Sequence, residues 1–214
     1  MLNVKTFTFS PVQENTYLLY DETGQCCIID PGCYSQQEKD ELKKFIEEKK
    51  LRPALLLNTH CHLDHVFGNK WAAETWDLTL HIHEKEKPVL AFAPKSGEMW
   101  QLPFDNYEGE LIFLKENTFI KLGEDELEIR FAPGHSPGSV CFYYELGGFV
   151  IGGDVLFNFS IGRTDLPGGD MKTLINSIQT QLFTLLDETK VYSGHGPVTT
   201  IGFEKMNNPF VKLY

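Results

Sequence analysis

The densest group of metal-binding side chains in the sequence lies at residues 59–65. This stretch reads Thr-His-Cys-His-Leu-Asp-His and directly follows a run of three leucines. If that run is a buried strand, His60 and His62 point to the same side, because side chains alternate with a period of two. Asp64 and His65 come after the turn and reach a second position beside the first. The spacing therefore favours two adjacent metal ions over one.

Three further candidate ligands stand beside glycines at the ends of predicted strands: His135, Asp154 and His195. Glycine lets the backbone turn tightly there. Alone, each would be read as a polar turn residue. Together with the cluster at 60–65, however, five of the seven histidines follow predicted strands in segments that also hold an aspartate or a glycine. Imidazole and carboxylate together suit zinc, iron or manganese rather than calcium or magnesium. The remaining histidines, His81 and His83, bring no carboxylate and no glycine turn, and we expect them at the surface or in a supporting role.

Composition limits the classes of partner. The chain has 214 residues, 42% of them hydrophobic and 23% charged, which suits one soluble globular domain over residues 1–214. Its net charge is 19 − 30 = −11, and no run of lysine or arginine interrupts the acidic background. This balance argues against nucleic acid and against anionic membranes as partners. A small-molecule substrate is the remaining expectation.

The N-terminal residues and the cysteines both favour a cytoplasmic protein. Residues 1–10 carry neither the basic nor the apolar region of a signal peptide, and no apolar stretch approaches the roughly 20 residues of a membrane span. The five cysteines are odd in number and show no CxxC spacing, so we expect free thiols in a reducing cytoplasm. Cys61 lies between two candidate ligands, but strand alternation turns it away from them.

The elements that must position these residues follow from hydrophobic periodicity. Apolar and β-branched runs predict strands at 4–9, 15–20, 25–30, 55–58, 78–81, 111–113, 119–122, 127–131, 139–145, 149–152 and 191–193. Helical spacing predicts helices at 36–50, from 64 or 65 to 76, at 171–186 and at 201–208. Residues 91–110 show no clean period and predict a long loop whose aromatic residues either line a substrate pocket or anchor the loop. Strands dominate each half and helices accompany them, which predicts an α+β fold of two sheets packed face to face with helices outside.

In order and spacing, these motifs resemble the metallo-β-lactamase superfamily over nearly the whole chain. The resemblance implies an αββα sandwich of two mixed β-sheets flanked by helices, with two divalent metal ions per chain, zinc first, and iron or manganese as alternatives. It implies the following ligands: His60, His62 and His135 for one ion, Asp64, His65 and His195 for the second, and Asp154 bridging both.

Within the superfamily, the segments Asp154-Val-Leu-Phe and Ile161-Gly-Arg-Thr-Asp look like those of the glyoxalase II-like hydrolases. That resemblance implies hydrolysis of a glutathione thioester such as S-lactoylglutathione, with Arg163 contacting the glutathione. Two departures stand out. Asp165 replaces a tyrosine of the larger enzymes, and their C-terminal helical domain has no counterpart here. The chain resembles the short, single-domain branch instead.

The mechanism implied is attack on the thioester carbonyl by a hydroxide that bridges two ions about 3.5–4 Å apart. Asp64 would orient the water and hold its proton. Rival interpretations are a glutathione persulfide dioxygenase with one iron on two histidines and one aspartate, and a metallo-hydrolase of another ester or a lactone. A diiron electron-transfer or O2-reducing module and a purely structural cluster complete the alternatives.

Overall fold

The computed structural model describes residues 1–211, which form the following strands and helices. The strands are β1 (Asn3–Phe9), β2 (Glu14–Tyr20), β3 (Gln25–Ile29), β4 (Arg52–Leu57), β5 (Leu80–His83), β6 (Leu111–Leu114), β7 (Phe119–Leu122), β8 (Asp125–Phe131), β9 (Val140–Tyr144), β10 (Phe149–Gly153), β11 (Leu156–Phe157), β12 (Ser160–Ile161), β13 (Lys190–Ser193) and β14 (Thr199–Thr200). The helices are α1 (Gln36–Glu48), α2 (Leu63–Val66), α3 (Asn69–Trp76), α4 (Lys87–Met99), α5 (Met171–Ser177) and α6 (Ile201–Asn207). None of the helices in residues 1–211 has the length and apolar character that crossing a bilayer requires.

The chain divides into two compact units. The first comprises residues 1–114 and 121–125, and the second comprises residues 115–120 and those from 126 onward. Together they make a mixed α+β protein with two mixed sheets and accompanying helices, so the predicted class is confirmed. That the chain forms a single domain over residues 1–214 stays a prediction.

The first unit is built on a six-stranded sheet with its strands in sequence order, β1 to β6. Strands β1 to β3 pair antiparallel, and β3 to β6 pair parallel. Strand β4 lies inside the parallel part, where both faces are covered. Its last residues, Leu56 and Leu57, are accordingly fully buried. The interior position of β4 fixes the point at which the chain turns into residues 58–65.

The second unit is built on a sheet of order β14-β13-β10-β9-β8-β7. Strands β10 and β13 pair parallel, while β8, β9 and β10 pair antiparallel. A small two-stranded hairpin, β11 and β12, stands apart from this sheet. Strands β8, β10 and β13 each end shortly before one of the candidate ligands, as the sequence predicted.

The prediction of a loop over residues 91–110 is wrong in its first half, because α4 continues to Met99. Pro94 lies inside this helix. Because proline has no backbone N–H, it cannot donate to the carbonyl of Leu90, and that loss normally prevents a helix. The side-chain amide of Asn106 donates to that carbonyl instead, at 3.0 Å. A donor from outside the helix thus supplies the missing hydrogen bond. Trp100, just past the helix end, is 58% exposed and does not anchor the segment.

Other elements also differ from prediction, and three of them are as follows. The single helix expected to end at residue 76 is split into α2 and α3 at Gly68, whose N–H donates to the carbonyl of Pro31 at 2.7 Å. The helix expected over 171–186 changes after α5 into a π-helical turn, Ile178–Leu182, and ends there. The strand expected at 78–81 is shifted to Leu80–His83.

Shortening Leu56 to alanine should lower the free energy of unfolding by about 2–5 kcal/mol, because the side chain is fully buried in the core of the first unit. Urea denaturation monitored by circular dichroism measures the change. Ile112→Ala, at a residue 47% exposed on β6, is the control and should change stability far less. Equal losses in the two variants would contradict this assignment of the core.

Candidate metal centre

The residues after β4 form a short turn that leads straight into α2. His62 is the extended residue before that helix, and Leu63 is its first residue. His60 and His65 are buried, whereas His62 and the side chain of Asp64 are partly exposed. The chain therefore leaves a fully buried strand and places four metal-competent side chains within six residues, partly open to solvent.

The carboxylate of Asp30, at the end of β3, holds this turn in place. It accepts hydrogen bonds from the Asn58 amide (3.1 Å), the Thr59 backbone N–H (2.7 Å) and the Thr59 hydroxyl (2.6 Å). Asp30 Oδ2 also lies 3.1 Å from His65 Nδ1. With its oxygens occupied in this way, Asp30 acts as a support for the turn although it lies within 4.8 Å of the ligand atoms of His60 and His65.

These contacts settle which nitrogen of each ring carries the proton. The carboxylate of Asp30 only accepts, so His65 donates from Nδ1. The Thr59 hydroxyl donates its proton to Asp30. The hydroxyl oxygen of Thr59 therefore accepts a hydrogen bond from His60 Nδ1, at 3.1 Å. In the neutral form of both rings, Nε2 then carries the lone pair. Such support of the opposite ring nitrogen is typical of histidines that bind metals.

The four candidates of the first unit lie side by side. The rings of His60 and His62 are 4.8 Å apart at their centroids, and those of His60 and His65 are 4.1 Å apart. His65 Nε2 lies 3.8 Å from Asp64 Oδ2. The prediction that His60 and His62 share one side is confirmed.

Cys61 turns away from these residues into the hydrophobic core, as alternation predicted. Burial raises the pKa of its thiol well above the usual value, so the thiolate that binds metals is disfavoured. The Cys61 backbone N–H donates to the buried carboxyl group of Glu86 at 2.8 Å. That hydrogen bond fixes the backbone between His60 and His62.

In the second unit, His135 follows β8 across a tight turn. Gly134 has a φ of +129°, and a Cβ there would collide with the backbone of Leu174, so only glycine fits. His135 Nδ1 lies 2.7 Å from the backbone carbonyl of Arg163. A carbonyl only accepts, so Nδ1 again carries the proton and Nε2 is the lone-pair nitrogen.

Asp154 lies between the two histidines of the second unit. Its Oδ2 is 3.6 Å from His135 Nε2 and 3.6 Å from His195 Nε2. Two atoms bound to one tetrahedral zinc ion at about 2.0–2.1 Å are about 3.3 Å apart. The spacing around Asp154 is close to that value. The donor set of imidazoles and a carboxylate thus fits zinc, iron or manganese.

Arg163 forms a bidentate ion pair with Asp165, with both contacts at 2.7 Å. Both side chains are exposed. Hydrogen bonds from the Arg163 side chain lower the pKa of Asp165 to about 2. The guanidinium predicted to bind substrate is therefore occupied by its neighbour, while the backbone carbonyl of the same residue supports His135.

His81 and His83 take backbone partners. His81 Nδ1 lies 3.0 Å from the carbonyl of Thr79, and His83 Nδ1 accepts from the N–H of Lys85 at 3.3 Å, capping a short 3-10 turn. Among the described residues, neither belongs to a group of possible metal ligands. Whether either histidine supports a metal ligand stays a prediction.

Sequence reasoning missed three buried acidic residues around the first unit's candidates: Asp30, Glu14 and Glu86. Asp30 precedes Pro31 and Gly32, so its local sequence indicates only a turn. Glu14 is fully buried, 3.8 Å from His65 Nδ1, and burial raises its pKa well above the usual value. In the sequence, each of these residues is an acidic side chain near apolar residues. That pattern is too common to identify a functional residue.

Replacing Asp30 by asparagine should weaken zinc binding by about 10- to 100-fold, because the amide cannot accept every hydrogen bond that orients His60 and His65. Competition with a chromophoric chelator measures the affinity. Asp40→Asn on α1 is the control, since Asp40 is exposed and bonds only to Gln36 among the contacts seen. An unchanged affinity in folded Asp30→Asn protein would refute the supporting role.

Comparison with known proteins identifies the family of the chain. The family model of the metallo-β-lactamase superfamily matches residues 9–195 and so extends over both units. A probable metallo-hydrolase of Bacillus subtilis is 41% identical, with 94% of this chain and 93% of the relative covered. A hydroxyacylglutathione hydrolase of Haemophilus influenzae is 37% identical, with 98% of each chain covered.

Two solved structures have the same fold. The B3 metallo-β-lactamase BLEG-1 aligns with a TM-score of 0.90 at 35% identity, covering 98% of this chain and 99% of the other. TTHA1623 in a di-iron-bound form aligns with a TM-score of 0.87 at 37% identity, covering 96% and 99%. The family model matches residues of both units, and relatives at 41% and 37% identity match nearly the full chain. The chain therefore belongs to the metallo-β-lactamase superfamily.

Proposed function

We propose that this metallo-hydrolase cleaves a thioester, with a glutathione thioester such as S-lactoylglutathione as the substrate class. The observation that carries the metal-dependent part of this proposal is the shared hydrogen bonding of three histidine rings. His60, His65 and His135 each give Nδ1–H to an oxygen of the protein, so the neutral form of each ring has its lone pair on Nε2. A structural cluster of histidines has no need for that common arrangement.

The ligand set proposed is the one that the superfamily pattern assigns, and it joins four segments of the chain. These residues would hold two divalent cations: His60, His62 and His135 the first, Asp64, His65 and His195 the second, and Asp154 both. Zinc is the metal we expect first, and the di-iron form of TTHA1623 keeps iron as an alternative. When bound, such a pair lowers the pKa of a shared water molecule and polarises the substrate carbonyl.

The remaining work falls to the protein's own side chains. Asp64, with its side chain 20% exposed, can accept the proton of an attacking water and orient that water. No strong general acid is required, because a thiolate is a good leaving group. Asp154 supplies one carboxylate oxygen equally distant from two imidazoles, and so links the ligands of both ions.

Arg163 is proposed to bind a carboxylate of the substrate, for which its planar guanidinium is suited. Its pair with Asp165 is exposed to solvent on both sides, and such pairs are weak. A substrate carboxylate can therefore replace Asp165. Support for a glutathione thioester comes from the Haemophilus influenzae hydrolase, which matches nearly the full chain, and from the acidic charge balance, which disfavours nucleic acid.

Replacing Asp154 by alanine should abolish turnover while the protein stays folded, because the histidines on both sides lose the oxygen between them. Steady-state hydrolysis, metal content by mass spectrometry and circular dichroism are measured together. Asp187→Ala is the matched control, since Asp187 is an exposed acidic residue of the same unit paired only with Lys205 among the contacts seen. Full hydrolysis by Asp154→Ala with a normal metal content would refute the role of Asp154.

The substrate assignment is tested by comparing kcat/KM for S-lactoylglutathione with that for a simple thioester without glutathione. We expect a clear preference for the glutathione thioester, which Arg163→Ala should reduce through KM. Equal values would mean that the glutathione half goes unrecognised. Oxygen consumption with glutathione persulfide, together with one iron per chain, would instead support the dioxygenase, and hydrolysis of lactones alone would support another ester class.

A further inference from the structure

The hairpin of β11 and β12, residues 156–161, joins the candidate ligands of the second unit to one another. It begins two residues after Asp154 and ends two residues before Arg163, whose carbonyl accepts from His135 Nδ1. At its start, the carbonyl of Leu156 accepts from the hydroxyl of Ser193 at 2.6 Å, two residues before His195. The position of this hairpin therefore bears on Asp154, His135 and His195 at once.

The hairpin cannot hold its own shape. Each strand has two residues, and only two residue pairs face each other across it. Two-stranded hairpins are at best marginally stable by themselves. The turn at its tip also contains Phe159 with a φ of +58°, which a bulky residue adopts only under constraint from its surroundings. Contacts from elsewhere must fix the tip.

Those contacts come from one fully buried acidic residue on α6, Glu204. Its Oε2 accepts from the Phe159 backbone N–H at 3.1 Å and from the Asn208 amide at 2.8 Å. Its Oε1 accepts from the Thr199 hydroxyl at 2.5 Å and lies 3.5 Å from the Asn158 amide. Asn208, also fully buried, donates in turn to the carbonyl of Ser160 at 2.9 Å.

Burying an acidic side chain is costly, and packing alone would be served as well by an apolar residue of the same volume. What the acid offers is a set of directed hydrogen bonds to the backbone and side chain of a strained tip. From this geometry we propose that Glu204 is a positioning residue. Through the 156–161 hairpin it holds Asp154 and the carbonyl of Arg163 where the metal-binding side chains of the second unit need them.

A close approach at the neck of the hairpin transmits this constraint. A Cβ at Gly162 would collide with the backbone carbonyl of Asp154 and lie 2.9 Å from His135 Nδ1. The two ends of the hairpin are thus in direct contact with each other and with the ring of His135. Because these groups are in contact at the neck of the hairpin, a displacement of the tip shifts Asp154 or His135.

The inference rests on the proposed function for the metal ligands of the second unit and for the identity of the reaction. Three variants test it: Glu204→Gln, which keeps the size of the side chain but replaces one accepting oxygen by a donor; Asn208→Ala, which removes a second contact to the same tip; and Lys205→Met as the control. Lys205 lies on the same helix but pairs with Asp187 and the Leu185 carbonyl, away from the hairpin.

For each full-length variant, zinc affinity, the visible spectrum of the cobalt-substituted protein, the melting temperature without metal, and kcat and KM for S-lactoylglutathione are measured. Glu204→Gln and Asn208→Ala should bind metal about 10-fold or more weakly, shift the cobalt bands, and at saturating metal lose kcat while KM changes little. Lys205→Met should lower the melting temperature alone.

If the two hairpin variants match Lys205→Met in affinity, spectrum and kcat, Glu204 is merely structural and the inference is overturned. If Glu204→Gln does not fold, Asn208→Ala decides by the same measurements. If the unmodified protein binds cobalt but hydrolyses no thioester, the proposed substrate fails, while affinity and spectrum still decide the role of Glu204.

Discussion

One hydrogen-bonded carboxylate, that of Asp30, carries the arrangement of the first unit. It sits at the end of a parallel strand and receives donors from the turn that follows the neighbouring strand. One oxygen of Asp30 accepts from His65 directly and from the Thr59 hydroxyl, which in turn accepts from His60. One side chain therefore fixes both the backbone turn and the protonated nitrogen of two rings. Without the Asp30 carboxylate, other residues would have to hold the turn and orient each histidine ring separately.

The second unit solves the same problem with a neutral acceptor. A backbone carbonyl, that of Arg163, orients His135, and the carbonyl is held by a hairpin that depends on α6. A carbonyl contributes no formal charge, whereas the carboxylate of Asp154 lies 3.6 Å from both His135 Nε2 and His195 Nε2. The two units thus orient their rings by different means, one through a strand end and the other through a supported loop.

Much of this was accessible from the sequence. The ligand candidates were found because histidine and aspartate are dense at residues 60–65 and because His135, Asp154 and His195 repeat one context, a strand end beside glycine. Strand positions were found because most strands show either alternation or a short apolar run. Both signals are local, and local signals are what one sequence can show.

The parts that escaped prediction depend on partners distant in the chain. Pro94 argued against a helix because it cannot donate to the carbonyl of Leu90. The donor that replaces it, Asn106, lies twelve residues further along the chain. Asp30 and Glu204 are single acids whose importance comes from donors that the fold brings to them. No periodicity marks such residues, since what distinguishes them is burial together with hydrogen bonds across the fold.

The bond between Asn106 and the carbonyl of Leu90 also makes two distant positions interdependent. With proline at 94, losing the Asn106 amide leaves a carbonyl without its donor. With an ordinary residue there, the helix would satisfy that carbonyl itself and the amide would become dispensable. The two sites form a thermodynamic cycle whose single changes do not add, so the order in which they are exchanged decides whether an intermediate sequence is tolerated.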